Sequence, residues 1–428
     1  MHIEFINFIK KSATKSHQNH KKINALLFVD FKKAFDMVDQ SLLIYKLGNY
    51  GFDTNAINLI KNYFTNRTLR VNFGTDGMSD IAKLTLGVGQ GSVLGPLFFV
   101  IFINDLPDYL KTIETKLFAD DTTLIVADEC IHDCDIKLKR GLRLLSEWCK
   151  HNRLYINWQK TYIMYIHNKR LTLPKSVEFD NKTIEVVSEF KLLGVTIDNK
   201  LNFDAFVAQQ CSSINQRLYM IKRQYYLPEK VKTTFFKAFI LPCFDYCISL
   251  SIYFSKFNLQ RLCKIYYYCI HTLFKINLSD LTIHTIQALL EPYGIDSFLH
   301  RIISRIIVFY MKMSANEKSP VELRNAIQKT LVLNTKHDLR SNNTEIVQTE
   351  RVYTKYGDLM FHCFGAKLIN NIKGINFNSE IKEMIKILKI NINITVDKFI
   401  ILFERFNLHM NFSFYKKTDI KLNIAFFN

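Results

Sequence analysis

Acidic residues are in short supply: the chain sets 39 Asp plus Glu against 57 Lys plus Arg, for a formal charge of +18. Such an imbalance calls for a polyanionic partner, either nucleic acid or an anionic membrane. Long apolar runs are also missing. Leu97–Ile103 is too short to span a bilayer, and Phe235–Phe254 is interrupted by Lys237, Pro242 and Asp245, so no membrane role is expected. No basic segment followed by an apolar one opens the chain, which argues against a secretory signal and for an intracellular protein, nuclear or cytoplasmic. Tight Cys-x-x-Cys knuckles are absent from the nine cysteines, whose odd number and uneven spacing fit a reducing compartment. Cys243, Cys247, Cys263, Cys269 and His271 therefore read as buried helix positions and not as zinc ligands, and Cys130, His132 and Cys134 make an equally weak metal pattern.

At 428 residues, 48% of them hydrophobic, the chain has enough apolar surface for two or three domains and is not disordered throughout. Its basic residues are spread over Lys10–Lys22, Lys150–Lys175 and Arg217–Lys237. That spread suits a groove tracking a phosphate backbone, the alternative being solvated basic helix faces. No Pro- or Ser-rich linker and no internal repeat divides the chain, and Asn334–Thr349 is its most loop-like stretch.

Hydrophobic patterning places the elements. Ala25–Phe31 reads as a buried strand with Asp30 near its end. Ser41–Tyr63 has helical spacing broken at Gly51–Asp53, and Leu69–Phe73 and Ile81–Leu86 alternate like strands around Gly74 and Gly77. Lys116–Ala127 is apolar on both sides of a polar centre, a hairpin with Asp120 and Asp121 at its tip. Ile136–Arg153 is an amphipathic helix, and Thr161–Ile166 and Phe190–Ile197 read as further strands. From Asn202 the pattern is mostly helical, with strong apolar periodicity in Phe235–Tyr268 and Ile302–Met313.

A carboxylate in apolar surroundings is costly unless paired or on a metal. Asp30 ends one apolar strand, and Asp120-Asp121 sit between two others. Three carboxylates meeting at a sheet edge suit two Mg²⁺ ions that clamp attacking and leaving oxygens in phosphoryl transfer. Taken alone, Asp-Asp is weak evidence and reads more readily as a surface turn.

Its company is more specific. Phe28–Asp39 (FVDFKKAFDMVD), Gly87–Pro96 (GVGQGSVLGP), Phe98–Leu106 (FFVIFINDL) and Phe118–Asp121 (FADD) occur in order, followed by Leu154–Thr161 (LYINWQKT) and Phe190–Asp198 (FKLLGVTID). Together they resemble the reverse transcriptases of non-LTR (LINE-type) retrotransposons, strongly from Ala25 to Asp198 and more faintly to Met313. The resemblance implies that Asp30 and Asp120 bind metal, with Asp121 as a third acid, and that the cofactor is two Mg²⁺ ions, replaceable by Mn²⁺. It implies that Phe35 is an aromatic gate against a 2′-hydroxyl, core packing being the plainer alternative. Gln90 and Gly91 would lie against the nascent base pair. Lys160 would protonate the leaving pyrophosphate, if it is not an ordinary surface lysine, and Leu193-Gly194 would grip the primer. Asp36 is expected to be structural, paired with Lys32 or Lys33.

The implied fold is α+β: a right-hand polymerase palm of antiparallel sheet with backing helices, a partial fingers region, a helical thumb and a helical C-terminal region. The expected divisions are a fingers remnant at 1–24, the palm with part of the fingers at 25–200, a thumb-like region at 201–315 and a C-terminal region at 316–428. Implied partners are an RNA template, a DNA primer or target DNA, and dNTPs. Two departures stand out. Gly89 replaces the proline usual before Gln90, loosening that loop. Only 29 residues precede Asp30, so most of the fingers and any endonuclease would lie upstream, and Met1–Lys10 would end the last fingers motif. The block from Arg351 (RVYTKYGDLMFHCFGAKLINNI) resembles the tail after the thumb, either an RNA-binding surface or a packing module. The activity implied is RNA-directed DNA synthesis. The alternatives are a catalytically inactive nucleic-acid-binding remnant and another polymerase: a viral RNA polymerase, against which KAFD, FADD and Phe35 argue, or an intron maturase, whose specific domain is not evident after the thumb.

Overall fold

The computed structural model describes residues 22–330, apart from 168–170, 224–225, 279–280 and 318, and then 360–370, 385–388, 393, 395–397 and 400. Met1–Lys10, most of Lys10–Lys22, Asn334–Thr349 and the start of the Arg351 block lie outside the described residues. The described part is α+β and forms two units, one ending at Phe190 and the other beginning at Lys191.

The first unit is built on β1 (Ile23–Val29), whose seven residues are all buried. A strand reads as continuously apolar when it is covered on both faces, and β1 is third in a six-stranded sheet of order β4-β5-β1-β6-β8-β7. Its neighbours are β4 (Glu114–Phe118), β5 (Asp121–Asp128), β6 (Tyr162–Ile166), β7 (Ser176–Phe179) and β8 (Lys182–Val186). The sheet is mixed rather than wholly antiparallel, because β6 and β8 pair in parallel. Sequence reading passed over β7 and β8, two short strands with exposed residues along one face.

Helix α1 (Gln40–Asn49) and helix α2 (Thr54–Phe64) start at Asp39 and Asp53, whose carboxylates accept from Leu42 N at 2.9 Å and Ala56 N at 2.7 Å. The expected strands at 69–73 and 81–86 shrink to the two-residue pair β2 (Thr68–Leu69) and β3 (Ala82–Lys83), largely solvent-exposed on both faces. Helix α3 (Leu94–Ile103) buries Phe98, Phe99, Phe102 and Ile103 in the core. Helix α4 runs Ile131–Asn152, starting five residues before the expected Ile136; its first turn puts exposed His132 and Asp133 between Ile131 and the buried Cys134, which weakens the apolar signal there. It backs β1 and β5 through Cys134, Leu138, Leu142, Leu145 and Cys149, at the 3- and 4-residue spacing of a core-facing stripe. Gly141 in its middle lets Ile113 approach closely: a Cβ there would lie 2.4 Å from Ile113 Cδ1, so that side chain would have to move.

At the boundary between the units, the stretch Phe190–Ile197 that its pattern marked as strand folds as a hairpin of β9 (Glu189–Leu192) and β10 (Val195–Asp198). Leu193 and Gly194 form its turn with φ of +45° and +78°, the paired left-handed conformation that matches strand twist. Helices α5 (Asp204–Lys222), α6 (Lys256–Phe274) and α7 (Phe298–Ala315) carry much of the apolar core of the second unit. The apolar stretch from Phe235 is broken by a π-turn at Phe236–Ile240. Pro242 follows, and a proline lacks the N–H that a regular turn would use and crowds the carbonyl four residues before it. Arg301 grips Asp245 through Nε at 2.7 Å and Nη2 at 2.5 Å. The cysteines are free; Cys263 and Cys269 are buried on α6 as expected, whereas Cys243 and Cys247 are half-buried. Among the described residues no helix is long and apolar enough to cross a membrane.

Candidate active site

Antiparallel register brings the acids together. β1 pairs with β5 so that Val29 faces Thr122. One step further along the same register, Asp30 comes opposite Asp121, the first residue of β5. Asp120 lies in the tight turn between β4 and β5, where Phe118 pairs with Asp121 and Ala119 takes a φ of +51°. The crowding is visible in Asp121: partial burial, and then the neighbouring charges of Asp120 and Asp30, hold its carboxyl above the usual range.

Asp30 and Asp120 open onto a cleft of about 720 Å³, which Phe35, Gln90 and Lys160 also line. Five of the expected site residues, from four separate motifs, therefore share one cavity. Asp121 and Gly91 are not in its lining, and Leu193-Gly194 belong to the second unit.

The residues after Asp30 form a short 3-10 turn at Ala34–Met37, entered through Lys33 at φ +46°. Phe35 on this turn is half-buried and stacks on the fully buried Phe99 of α3, with centroids 4.5 Å apart and planes at 21°. The packing and gating interpretations of Phe35 are thus compatible: one face of the ring is packed and the residue still lines the cleft.

The glycine-rich loop is clamped to this turn. Gly87 N donates to Val38 O at 2.7 Å, Val88 N to Phe35 O at 2.9 Å, and Gln40 Nε2 to Gly87 O at 3.0 Å. A Cβ on Gly87 would lie 2.9 Å from Asp36 O, and its φ is +83°, so glycine is needed there on both counts. Gln90 Nε2 donates to Asp36 Oδ1 at 2.8 Å. This corrects the expected role of Asp36: among the described residues no ion pair joins it to Lys32 or Lys33, because its carboxylate faces the loop. The two lysines line the cleft instead. Gly89 sits beside Tyr63 and Arg67, whose guanidinium lies 4.6 Å from the Tyr63 ring centre.

Lys160 is exposed at the end of a 3-10 turn, Trp158–Lys160. The turn is fixed to Asp30 by a residue the sequence did not single out. Asn157 N donates to Asp30 O at 2.8 Å, and Asn157 Nδ2 donates to Asp30 Oδ2 at 2.8 Å. Beside it, Phe31 bridges Ile156, and Lys32 N donates to Tyr155 O at 2.8 Å.

Among the described residues no three or more His, Cys, Asp or Glu side chains stand in an arrangement that by itself holds a metal. The donor chemistry nevertheless fits a hard cation. Mg²⁺ is held by one or two carboxylates together with substrate phosphates, not by a full protein cage, and the raised pKa of Asp121 marks negative charge that a cation would relieve.

Residues 1–197 match the family model described as reverse transcriptase (RNA-dependent DNA polymerase). That match spans rather less than half of the chain, and over it the chain is similar to reverse transcriptases. Its curated relatives include the probable RNA-directed DNA polymerase from transposon BS of Drosophila melanogaster, 27% identical over 273 residues, which are 61% of this chain and 30% of that protein. The RNA-directed DNA polymerase from mobile element jockey of the same fly is 26% identical over 247 residues, 55% of this chain and 26% of the relative. The chain spans less than a third of the length of these relatives. Among solved structures, telomerase from Candida albicans in complex with a fragment of telomeric RNA aligns over 80% of this chain and 53% of that one. The identity is 14% and the TM-score 0.37, too distant to carry an argument.

Within the matched region, sequence reading missed Asn157, Lys32 and Lys33. The lysines had a signal, since they stand two and three residues after Asp30 on a segment already assigned to the site. Asn157 had only its place three residues before Lys160.

Proposed function

We propose that this chain extends a primer 3′-hydroxyl with deoxynucleotides on an RNA template, as the polymerase part of a retrotransposon protein priming synthesis from nicked target DNA. The observation that carries this reading is the shared cleft of Asp30, Phe35, Gln90, Asp120 and Lys160, drawn from segments far apart in the chain. Asp30, Asp120 and Asp121 would hold two Mg²⁺ ions, or Mn²⁺ in their place, which when bound supply an acidified hydroxyl and charge neutralisation at the phosphates. The protein's own work is positioning. Phe35, backed by Phe99, closes the sugar side of the cleft and clashes with a ribose 2′-hydroxyl. Gln90, steadied by Asp36, and the open backbone of Gly91 meet the nascent base pair. Lys32, Lys33 and Lys160 supply positive charge for the triphosphate, and Lys160 hands a proton to the departing pyrophosphate. The Leu193-Gly194 turn guides the primer end.

Primer extension on poly(rA)–oligo(dT) with dTTP and Mg²⁺ tests this reading. Extension by the wild type that vanishes in Asp120→Ala/Asp121→Ala is the expected result. A folded protein that binds the duplex but extends nothing would overturn it in favour of an inactive nucleic-acid-binding remnant.

A further inference from the structure

We propose that Asn157 is a positioning residue for the Asp30 carboxylate, orienting it to receive a divalent cation; the proposal rests on the reading of the cleft as a polymerase site. The terminal torsion of an aspartate is soft, and a carboxylate at the end of a strand turns freely unless something holds its plane. Asn157 holds it from two directions. Its backbone N–H fixes the Asp30 main chain through Asp30 O at 2.8 Å, and its side-chain amide fixes Oδ2 at 2.8 Å.

A carboxylate only accepts, so the amide must present its NH2 to Asp30. The donor is neutral. A lysine or arginine in the same place would orient the carboxylate and also cancel the charge that a cation needs; an amide orients it and leaves the charge in place. Asn157 is itself fixed, because its carbonyl accepts from Lys160 N at 3.0 Å and from Thr161 Oγ1 at 2.9 Å. One residue therefore ties the Asp30 carboxylate to the turn that carries Lys160.

A purely structural role does not account for the side chain. Closure of this segment against Asp30–Lys32 is served by backbone bonds, Asn157 N to Asp30 O and Lys32 N to Tyr155 O. Any residue other than proline would provide these. The amide group adds the bond to the carboxylate.

The test is Mn²⁺ binding to the full chain, without nucleotide or nucleic acid, read from the free-ion EPR signal. Wild type is expected to bind Mn²⁺ in a manner lost in Asp30→Ala. Asn157→Ala should bind about 10- to 100-fold more weakly with the secondary structure unchanged. Asn157→Leu, which keeps the branched shape and removes the donor, should match it, and stands in should the alanine variant not fold. In primer extension the same variants should need correspondingly more Mg²⁺ for half-maximal rate, while the rate at saturating Mg²⁺ returns toward wild type. Equal Mn²⁺ affinity in wild type and variants overturns the proposal, as does wild-type binding indifferent to Asp30→Ala. Weakened Mn²⁺ binding in a protein that extends no primer would sink the polymerase reading and leave the positioning role standing.

Discussion

Gln90 and Asp36, 54 residues apart, are joined by a 2.8 Å hydrogen bond from Nε2 to Oδ1. That bond couples the glycine-rich loop to the turn carrying Phe35. Both residues are exposed, so its net worth should fall near the lower end for a hydrogen bond to a charged group, about 1 kcal/mol. A double-mutant cycle of Asp36→Ala and Gln90→Ala, read by urea unfolding, should return a coupling of that size. A coupling indistinguishable from zero would mean the loop is held by its backbone bonds alone.

The glycines of the loop should separate by mechanism. Gly87→Ala meets both a left-handed φ and the Asp36 backbone at 2.9–3.1 Å, whereas Gly91→Ala, at φ +80°, meets nothing within 4 Å. Gly91→Ala should cost about 1–2 kcal/mol from the backbone conformation, and Gly87→Ala clearly more. Gly89 is not among the positive-φ glycines and a Cβ there has only ordinary contacts at 3.5 Å, so Gly89→Ala should be close to neutral. Thermal unfolding of the three variants gives the ranking; a Gly87→Ala protein as stable as Gly91→Ala would contradict the clash.

Phe35 should set sugar choice. Phe35→Ala is expected to lower the preference for dTTP over UTP, measured as the ratio of kcat/KM values, by roughly 10- to 200-fold, the range of a single lost steric contact. Phe99→Leu removes the ring on which Phe35 stacks and should move the same ratio in the same direction by less. An unchanged ratio in Phe35→Ala would return Phe35 to the core and nothing more.

The palm should weaken in alkali. Burial pushes the Cys149 thiol on α4 up to about 12 from an ordinary 9.0. Below pH 9 the folded and unfolded thiols are both protonated. Between 9 and about 12 the unfolded thiol alone ionises, so the stability held by the buried, protonated form is lost as pH rises through that window. From pH 8 to pH 10.5 the urea-derived stability of wild type should fall about 2 kcal/mol further than that of Cys149→Ala. Parallel pH profiles would show that Cys149 is not shielded.

What could be seen in the sequence depended on how local its signal was. β1 was legible because a strand covered on both faces is apolar throughout, and Asp30 stood out as the carboxylate ending it. Asp120-Asp121 was legible because apolar strands flank it on both sides. The start of α4 was hidden, since exposed His132 and Asp133 interrupt its apolar stripe between Ile131 and Cys134. Asp36 was given a neighbour in sequence as its partner, but the chain reverses between Asp36 and Gln90, and the longer-range bond won. Lys46 drew no notice in the sequence; in the fold it is buried against Phe102 and Trp148, bonded to Asp105 at 2.7–2.8 Å, with its pKa lowered chiefly by burial. The grip of Asn157 on Asp30 spans 127 residues and leaves no periodicity to detect.

The central claim is that Asp30 does chemistry, and single-nucleotide addition tests it most directly. Wild type and Asp30→Asn, shown to fold alike and to bind the same RNA–DNA duplex, would each be given one templated dNTP with Mg²⁺. Loss of a metal-binding carboxylate with its shape preserved should lower the rate at least about 1,000-fold, the scale of several kcal/mol of transition-state charge stabilisation. Addition by Asp30→Asn at the wild-type rate would place the chemistry elsewhere and contradict the assignment.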